Sequence, residues 1–377
     1  MENLVMIDNF DGFFRGKSVF LTGHTGFKGA WLTEWLIGLG ARVVGYSLPP
    51  ENTSTSLYYQ LNHTQRIESH YGDIRNLDNL KQKLAQASPD IVFHTAAQPL
   101  VRESYNIPVE TFDTNVMGTV NVLESLRQLK KNCIAIIITT DKCYKNREWL
   151  HGYRETDAMG GHDPYSASKG MAELAVSAYR SSFFSLNKGS THLGLASARA
   201  GNVIGGGDWA KDRIIPDCIR ALSTKKTIEV RNKTATRPWQ HVLEPLSGYL
   251  TLATSIGKAM KEDRDPNQIN INEICTGFNF GPTIASNRTV KDLVEEVTKH
   301  WPGKWEDKSD PDAPHEASKL NLSIDQAFHL LKWLPKWNFE TTIQKTVEWY
   351  LASFAPTFDA QQFTLSQISD YSRTAHD

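Results

Sequence analysis

Cysteine is scarce: the 377-residue chain has only Cys133, Cys143, Cys218 and Cys275, with no CxxC pair and no metal-ligand spacing. That excludes a disulfide-stapled scaffold. Reduced thiols in the cytoplasm and no bound metal are the expectation. Long apolar runs are also missing, and no uncharged one approaches the ~20 residues that a membrane-spanning helix needs. The opening stretch MENLVMIDNFDGFF carries acids and lacks a basic segment ahead of an apolar core, so no signal peptide is expected. An excess of one charge is absent too. The 41 Lys and Arg face 42 Asp and Glu, which leaves no electrostatic footprint for nucleic acid. There is no internal repeat and no low-complexity tract. What is there is an ordinary globular composition, 40% apolar, long enough for a full core and a second lobe.

Short apolar runs alternate with amphipathic segments from residue 17 to residue 200. KSVFLT ends at Thr22, ARVVGY at Tyr46, DIVFHTA at Ala96, CIAIIITT at Thr140 and LGLASAR at Arg199. Each is apolar nearly throughout, as parallel strands covered on both faces must be. Between them, Val109, Phe112, Val116, Val120, Leu123 and Leu126 recur at helical spacing. The alternation predicts an α/β fold, a doubly wound parallel Rossmann sheet, with a smaller α/β C-terminal substrate lobe. Residues 15–200 and a return segment at about 237–262 form the sheet domain in this reading. Residues 201–236 and 263–355 form the lobe, and 356–377 a loosely docked polar tail.

Gly23, Gly26 and Gly29 form GxxGxxG directly after the first strand, and AWLTEWLIGLG follows as a helix. A ligand phosphate needs a backbone without Cβ and the free N–H groups of a helix N-terminus, so this turn is read as a dinucleotide site. The acid that usually ends the second strand and holds the ribose is missing, because that place reads Tyr46-Ser47. Asp73, followed by Ile74 after a probable third strand, is a candidate for the adenine amine or a local turn cap.

HDPYSASKG sets Tyr165 and Lys169 four apart, behind Asp163 as N-cap and Pro164 at the first helical position. The two side chains share one helix face. A phenol with pKa near ~10 is a poor base at neutral pH, and nearby positive charge would lower that value. The pair therefore suits proton abstraction from a sugar hydroxyl during hydride transfer.

With these motifs the chain resembles the short-chain dehydrogenase/reductase superfamily, in its extended nucleotide-sugar branch. The likeness runs from LTGHTGFKG to about residue 250 and more loosely to about 350. It implies NAD as cofactor, held by Gly23, His24, Thr25, Gly26, Phe27, Lys28 and Gly29, with Asp73, Ile74, Ala96, Ala97 and Gln98 along the cleft. It assigns the active centre to Thr140, Tyr165 and Lys169. Asn115, the helix asparagine of the wider family, should be buried and need a partner. His24 and Lys28 replace small or apolar residues. They either weaken the hold on NAD or point to solvent. His94 is read as a packed core histidine.

The residues after Thr140 narrow the resemblance to the 4,6-dehydratases of that branch. Epimerases have no acid there, whereas Asp141 fits the acid that protonates a leaving C6 hydroxyl. Lys142 stands where the dehydratases carry the glutamate that removes the C5 proton. It is either a neutral base or a charged stabiliser of the C4 enolate. The implied substrate is a nucleotide sugar, with Arg237 on its pyrophosphate and Asn202, Arg213, Arg231 and His241 as further contacts. Arg213 and Arg231 have a surface salt bridge as their alternative. Family members pair through a helix bundle, so a homodimer or homotetramer is expected, built on helices at 108–130 and 165–184 with an exposed apolar stripe. A 4-epimerase and a dinucleotide-binding regulator without chemistry are the competing readings. The presence of Thr140, Tyr165 and Lys169 argues against the second.

Overall fold

A computed structural model of the chain describes residues 10–50, 54–184, 192–261, 270–309 and 319–375. Its centre is a parallel sheet of seven strands: β1 (Ser18–Thr22), β2 (Arg42–Ser47), β3 (Glu68–Tyr71), β4 (Ile91–His94), β5 (Cys133–Ile138), β6 (Leu193–Ala200) and β7 (Gly277–Phe280). Their order across the sheet is β7-β6-β5-β4-β1-β2-β3, and every pairing is parallel. Strands β4, β5 and β6 are buried along their whole length, as their unbroken apolar runs require. Strand order reverses between β1 and β4, which opens a crevice at their carboxyl ends.

Helix α1 (Phe27–Gly38) follows β1, and buried residues occupy all of its faces, with Trp31 and Trp35 among them. A helix that is apolar all round must be covered on both sides. One side packs on the sheet. The other is covered by a C-terminal helix, Ala360–Arg373, whose Tyr371 ring lies 5.7 Å from that of Trp35. The expected loose tail is therefore a docked helix. Tyr371 donates to the buried Glu244 carboxylate at 2.6 Å, which fixes the docking with a polar contact. A second departure concerns β7. It lies within the segment assigned to the lobe, yet it extends the central sheet along β6. The 262/263 boundary falls outside the described residues.

Two helices on the other face matter for the site. One runs from Pro108 to Leu126 and is interrupted by a π turn at Asp113–Met117. The second, Pro164–Ser182, starts as the sequence suggested. The Asp163 carboxylate accepts from Ser166 N–H at 2.9 Å and Pro164 occupies the first turn. Among the described residues no helix is long and apolar enough to cross a membrane.

Candidate active site

The chemistry gathers at the carboxyl ends of β1, β4 and β5. After β1 the chain turns through Gly23, whose φ of +77° suits glycine. A Cβ there would stand 2.7 Å from the backbone nitrogen of Ala96, so the turn is pressed against the segment after β4. At Gly29 a Cβ would meet the Gly23 carbonyl oxygen at 2.1 Å, and the start of α1 could not approach the turn. Gly26, the N-cap of α1, differs. A Cβ there would meet only the Gly23 carbonyl oxygen, at an ordinary contact distance of 3.4 Å, and the residue is exposed. An exposed helix N-terminus fits the pyrophosphate of a dinucleotide.

The two unusual loop side chains do not point to solvent. His24 is fully buried, with Nε2 2.6 Å from Ser69 Oγ and its ring edge-on to Tyr58. It fills the space above Gly45 of β2, where a Cβ would strike the ring at 2.4 Å. Burial holds its pKa down at about 3, so the ring is neutral. Its bulk therefore goes into the core between β2 and β3 rather than onto the phosphate path. Lys28 turns the other way. Its Nζ lies 3.4 Å from Tyr249 Oη and 5.7 Å from that ring. Burial lowers its pKa to about 7, the positive charges of Arg213 and Lys169 add to this, and Asp141 opposes it. Lys28 is thus coupled electrostatically to Arg213, Lys169 and Asp141. Phe27 is half-buried against the core. Thr25 bonds to Ser47 and to the Leu48 carbonyl.

Asp73 behaves as the local cap. Its carboxylate accepts from Arg75 N–H at 2.9 Å and from the Arg75 guanidinium at 2.6 Å, which lowers its pKa. Ile74 is buried against Gly118. Ala96, Ala97 and Gln98 line the segment after β4 and remain partly exposed. Asn115 is buried as expected. Its side chain accepts from Gln98 N–H at 2.9 Å and donates to the Gln98 carbonyl at 3.1 Å and to Ser168 Oγ at 2.9 Å. It therefore ties the cleft wall to the helix that carries Tyr165 and Lys169. A π turn at a functional contact is a common use of that geometry. His94 sits between Thr22 at 2.7 Å and Thr119 at 3.2 Å, a satisfied core histidine whose pKa burial lowers to about 3.

At the end of β5, Thr140 caps a short 3-10 turn over Asp141–Cys143. Its hydroxyl donates to Asp141 Oδ1 at 2.9 Å. Asp141 is 2% exposed, and Oδ2 has no hydrogen-bond partner among the described residues. Burial raises its pKa, against the opposing pull of Lys142 and Thr140. A carboxyl in that state keeps its proton more readily than an exposed one. Gly201 leaves it room, because a Cβ there would stand 2.5 Å from Oδ2. Tyr165 and Lys169 are both nearly buried. The phenol is pushed up to about 12 by burial, while its hydrogen bond with Thr140 and the charge of Arg213 pull it down. Burial brings Lys169 down to about 8, and Glu173 opposes that. The expected lowering of the phenol by Lys169 does not appear: desolvation leads, and the downward pull comes from Thr140 and Arg213. Lys142 is partly buried.

The substrate side divides. Arg237 is 7% exposed in a short strand, donates to the Thr236 carbonyl at 2.8 Å and lowers the pKa of Asp141. Arg213 is held by Asp208 at 2.8 Å and interacts with Tyr165. Asn202, just past β6, is partly exposed. Arg231 follows its alternative reading, as an exposed pair with Asp212 and Asp217. His241 is a correction. It is wholly buried between the rings of Trp31 and Trp337, at 5.6 and 4.9 Å, and burial lowers its pKa to about 3, so it presents no face to a substrate.

The sequence reading missed the support behind the site. Glu173 accepts from Thr139 Oγ1 at 2.5 Å, Ser197 Oγ at 2.7 Å and Arg199 at 2.8 Å. Arg199 in turn donates to Tyr144 Oη at 2.6 Å, and Tyr144 donates to Asn279 at 2.7 Å. Glu173 follows Lys169 by four residues on the same helix face, a signal that was available.

A doubly wound sheet with Thr140 at the carboxyl end of β5 and Tyr165 and Lys169 on the helix that follows is the arrangement of a short-chain dehydrogenase/reductase. Within that class the chain belongs to the family described as GDP-mannose 4,6 dehydratase, which it matches over residues 20–346. It is 47% identical over 372 residues to a CDP-glucose 4,6-dehydratase of Salmonella typhimurium (strain LT2), covering 97% of this chain and 98% of the relative. Among solved structures it resembles an epimerase from Methanothermobacter thermautotrophicus at a TM-score of 0.73, with 22% identity over 94% of this chain and 97% of that one. A dTDP-glucose 4,6-dehydratase from Bacillus anthracis in complex with NAD gives 0.70, with 18% identity over 89% and 97%. Epimerases and dehydratases share this fold, so the side chains decide between them.

Proposed function

We propose that the protein dehydrates CDP-D-glucose to CDP-4-keto-6-deoxy-D-glucose and water, as an NAD-dependent hydro-lyase. The observation that carries the chemistry is Asp141, a buried carboxyl with raised pKa, bonded to the Thr140 hydroxyl that also contacts Tyr165. The substrate rests on the 47% likeness to a CDP-glucose 4,6-dehydratase. When bound, NAD⁺ supplies a reversible two-electron acceptor and a positive ring that favours the Tyr165 phenolate. That phenolate takes the C4 hydroxyl proton as C4 is oxidised, and Thr140 orients the sugar oxygen. Lys169, near-neutral in pKa but still largely protonated, supports the negative phenolate. The C4 ketone acidifies the C5 proton. Asp141 gives its proton to the departing C6 hydroxyl, which leaves as water; the electron pair and hydrogen taken from C4 would then return to C6, and a proton to C5. The substrate loses one water and the cofactor ends as it began. Lys142 serves the C5 step, as base or as stabiliser of the enolate. Arg237 takes the pyrophosphate, and Arg213 and Asn202 are further contacts to phosphate or ribose.

A 4-epimerase on this fold needs no acid beside the threonine, so Asp141 favours dehydration. The product's keto-deoxy sugar suits dideoxysugar and O-antigen lipopolysaccharide biosynthesis. All four cysteines are free and buried, which suits the cytoplasm. Val109, Met117, Met171, Leu174 and Phe183 stay exposed on or at the ends of the two helices at 108–126 and 164–182, and this stripe supports a homodimer or homotetramer through a helix bundle. The test is a panel of CDP-, dTDP-, UDP- and GDP-linked hexoses incubated with NAD⁺ and read by mass spectrometry. Loss of one water from CDP-glucose alone is the expected result. Loss from another sugar nucleotide would discard the substrate and keep the mechanism. A C4 epimer with no loss of water would overturn the dehydratase reading.

A further inference from the structure

NAD enzymes of this fold usually end the second strand with an acid that accepts the ribose hydroxyls. Such an acid also repels the extra phosphate of NADP. In this chain the place belongs to Ser47, the last residue of β2, which is 8% exposed. Its hydroxyl lies 2.8 Å from Thr25 Oγ1 in the glycine turn. Thr25 Oγ1 is also 2.9 Å from the Leu48 carbonyl oxygen. A carbonyl can only accept, so the single Thr25 proton goes to Leu48 and Ser47 must donate to Thr25. Both hydroxyl protons are then used inside the protein. Ser47 Oγ shows only lone pairs to an incoming ribose, a neutral counterpart of the missing carboxylate.

The arginines of β2 and of the turn after β3 are already paired. Arg42 opens β2 at its opposite end and pairs with Glu68 at 3.5 Å. Arg75 is held by Asp73 at 2.6 Å.

Resting on the NAD reading above, we infer that the Thr25–Ser47 hydroxyl pair is the specificity-determining group for the adenosine ribose. It accepts from the 2′-hydroxyl of NAD. It turns away the 2′-phosphate of NADP by offering no donor, rather than by opposing it with a charge. Discrimination is therefore shallow, on the scale of hydrogen bonds, and one substitution moves it in either direction.

The test is a tryptophan-fluorescence titration of the purified full-length protein with NADH and with NADPH, read as the ratio of the two Kd values. Thr25→Val keeps the shape of the side chain and frees the Ser47 proton for a phosphate. The preference for NADH should shrink by about tenfold, the scale of one or two hydrogen bonds. Ser47→Asp restores the charge and should widen the preference by about tenfold or more. Thr25→Ser keeps the hydroxyl and should hold the wild-type ratio, which separates the hydrogen bond from a disturbed turn. A ratio unchanged in both Thr25→Val and Ser47→Asp overturns the assignment. Wild-type protein that binds neither nucleotide overturns the cofactor reading itself, and this inference with it.

Discussion

Asp141→Asn should separate oxidation from elimination. Asparagine keeps the size of the side chain and still accepts the Thr140 hydroxyl bond, which is 2.9 Å in the native protein. It has no proton to give the leaving C6 hydroxyl. Loss of a positioned general acid slows a step by about 10²–10⁴, or roughly 3–5 kcal/mol of barrier. Oxidation at C4 depends on Tyr165 and should survive. Mixed with NAD⁺ and CDP-glucose, the variant should accumulate NADH in a single burst, while mass spectrometry shows little loss of water. Stability should move the other way. The folded pKa of Asp141 is raised by burial, so its contribution is present below the unfolded pKa and lost as pH rises through the folded one. At neutral pH the native carboxyl is a liability, and the variant should melt at the same temperature or higher. Dehydration at close to the wild-type rate would refute the role of Asp141. A clear fall in Tm would refute the account of its burial.

Lys28 should make NAD⁺ binding depend on pH. Its pKa of about 7 leaves it charged below and neutral above, so its repulsion of the positive nicotinamide ring should ease and NAD⁺ should bind roughly tenfold tighter as pH rises through that value, with NADH, whose ring is neutral, much less affected. Lys28→Met should flatten the profile in a calorimetric titration, and a flat wild-type profile would contradict the reasoning. At Lys142, a glutamate that retains dehydration supports one base replacing another, whereas a methionine with little loss of rate removes both proposed roles. Leu174, 59% exposed on its helix, should be a contact between copies. Leu174→Glu should lower the mass measured by light scattering behind a sizing column, and an unchanged mass would place the interface elsewhere.

Much of the scaffold was legible because it is written locally. Unbroken apolar runs mark β1, β2, β4, β5 and β6, and Asp163-Pro164 starts its helix where capping chemistry puts it. Tyr165 and Lys169 follow from helical spacing alone. The misreadings come from contacts between distant segments. His24 turns inward because Gly45, on the neighbouring strand, leaves a space of its size. His241 is enclosed by Trp31 and Trp337 from two other segments. The helix at 360–373 looks polar because part of its docking is through hydrogen bonds, such as Trp349 to Thr364 at 3.1 Å, rather than through an apolar stripe. The clue lay in its partner, since AWLTEWLIGLG has no side left for water.

The π turn at Asp113–Met117 carries one residue more than an α-helical turn would hold. Upstream of Met117 the helix is registered to the cleft, with Asn115 on Gln98 and Ser168. Downstream it is registered to the core, with Val122, Leu123 and Leu126 buried. Removing that extra residue would rotate one half against the other by about 100°. The extra residue therefore lets one continuous helix present Asn115 to the cleft and Val122, Leu123 and Leu126 to the core at the same time, with Thr119 of the second half bonded back to the Asn115 carbonyl at 2.7 Å.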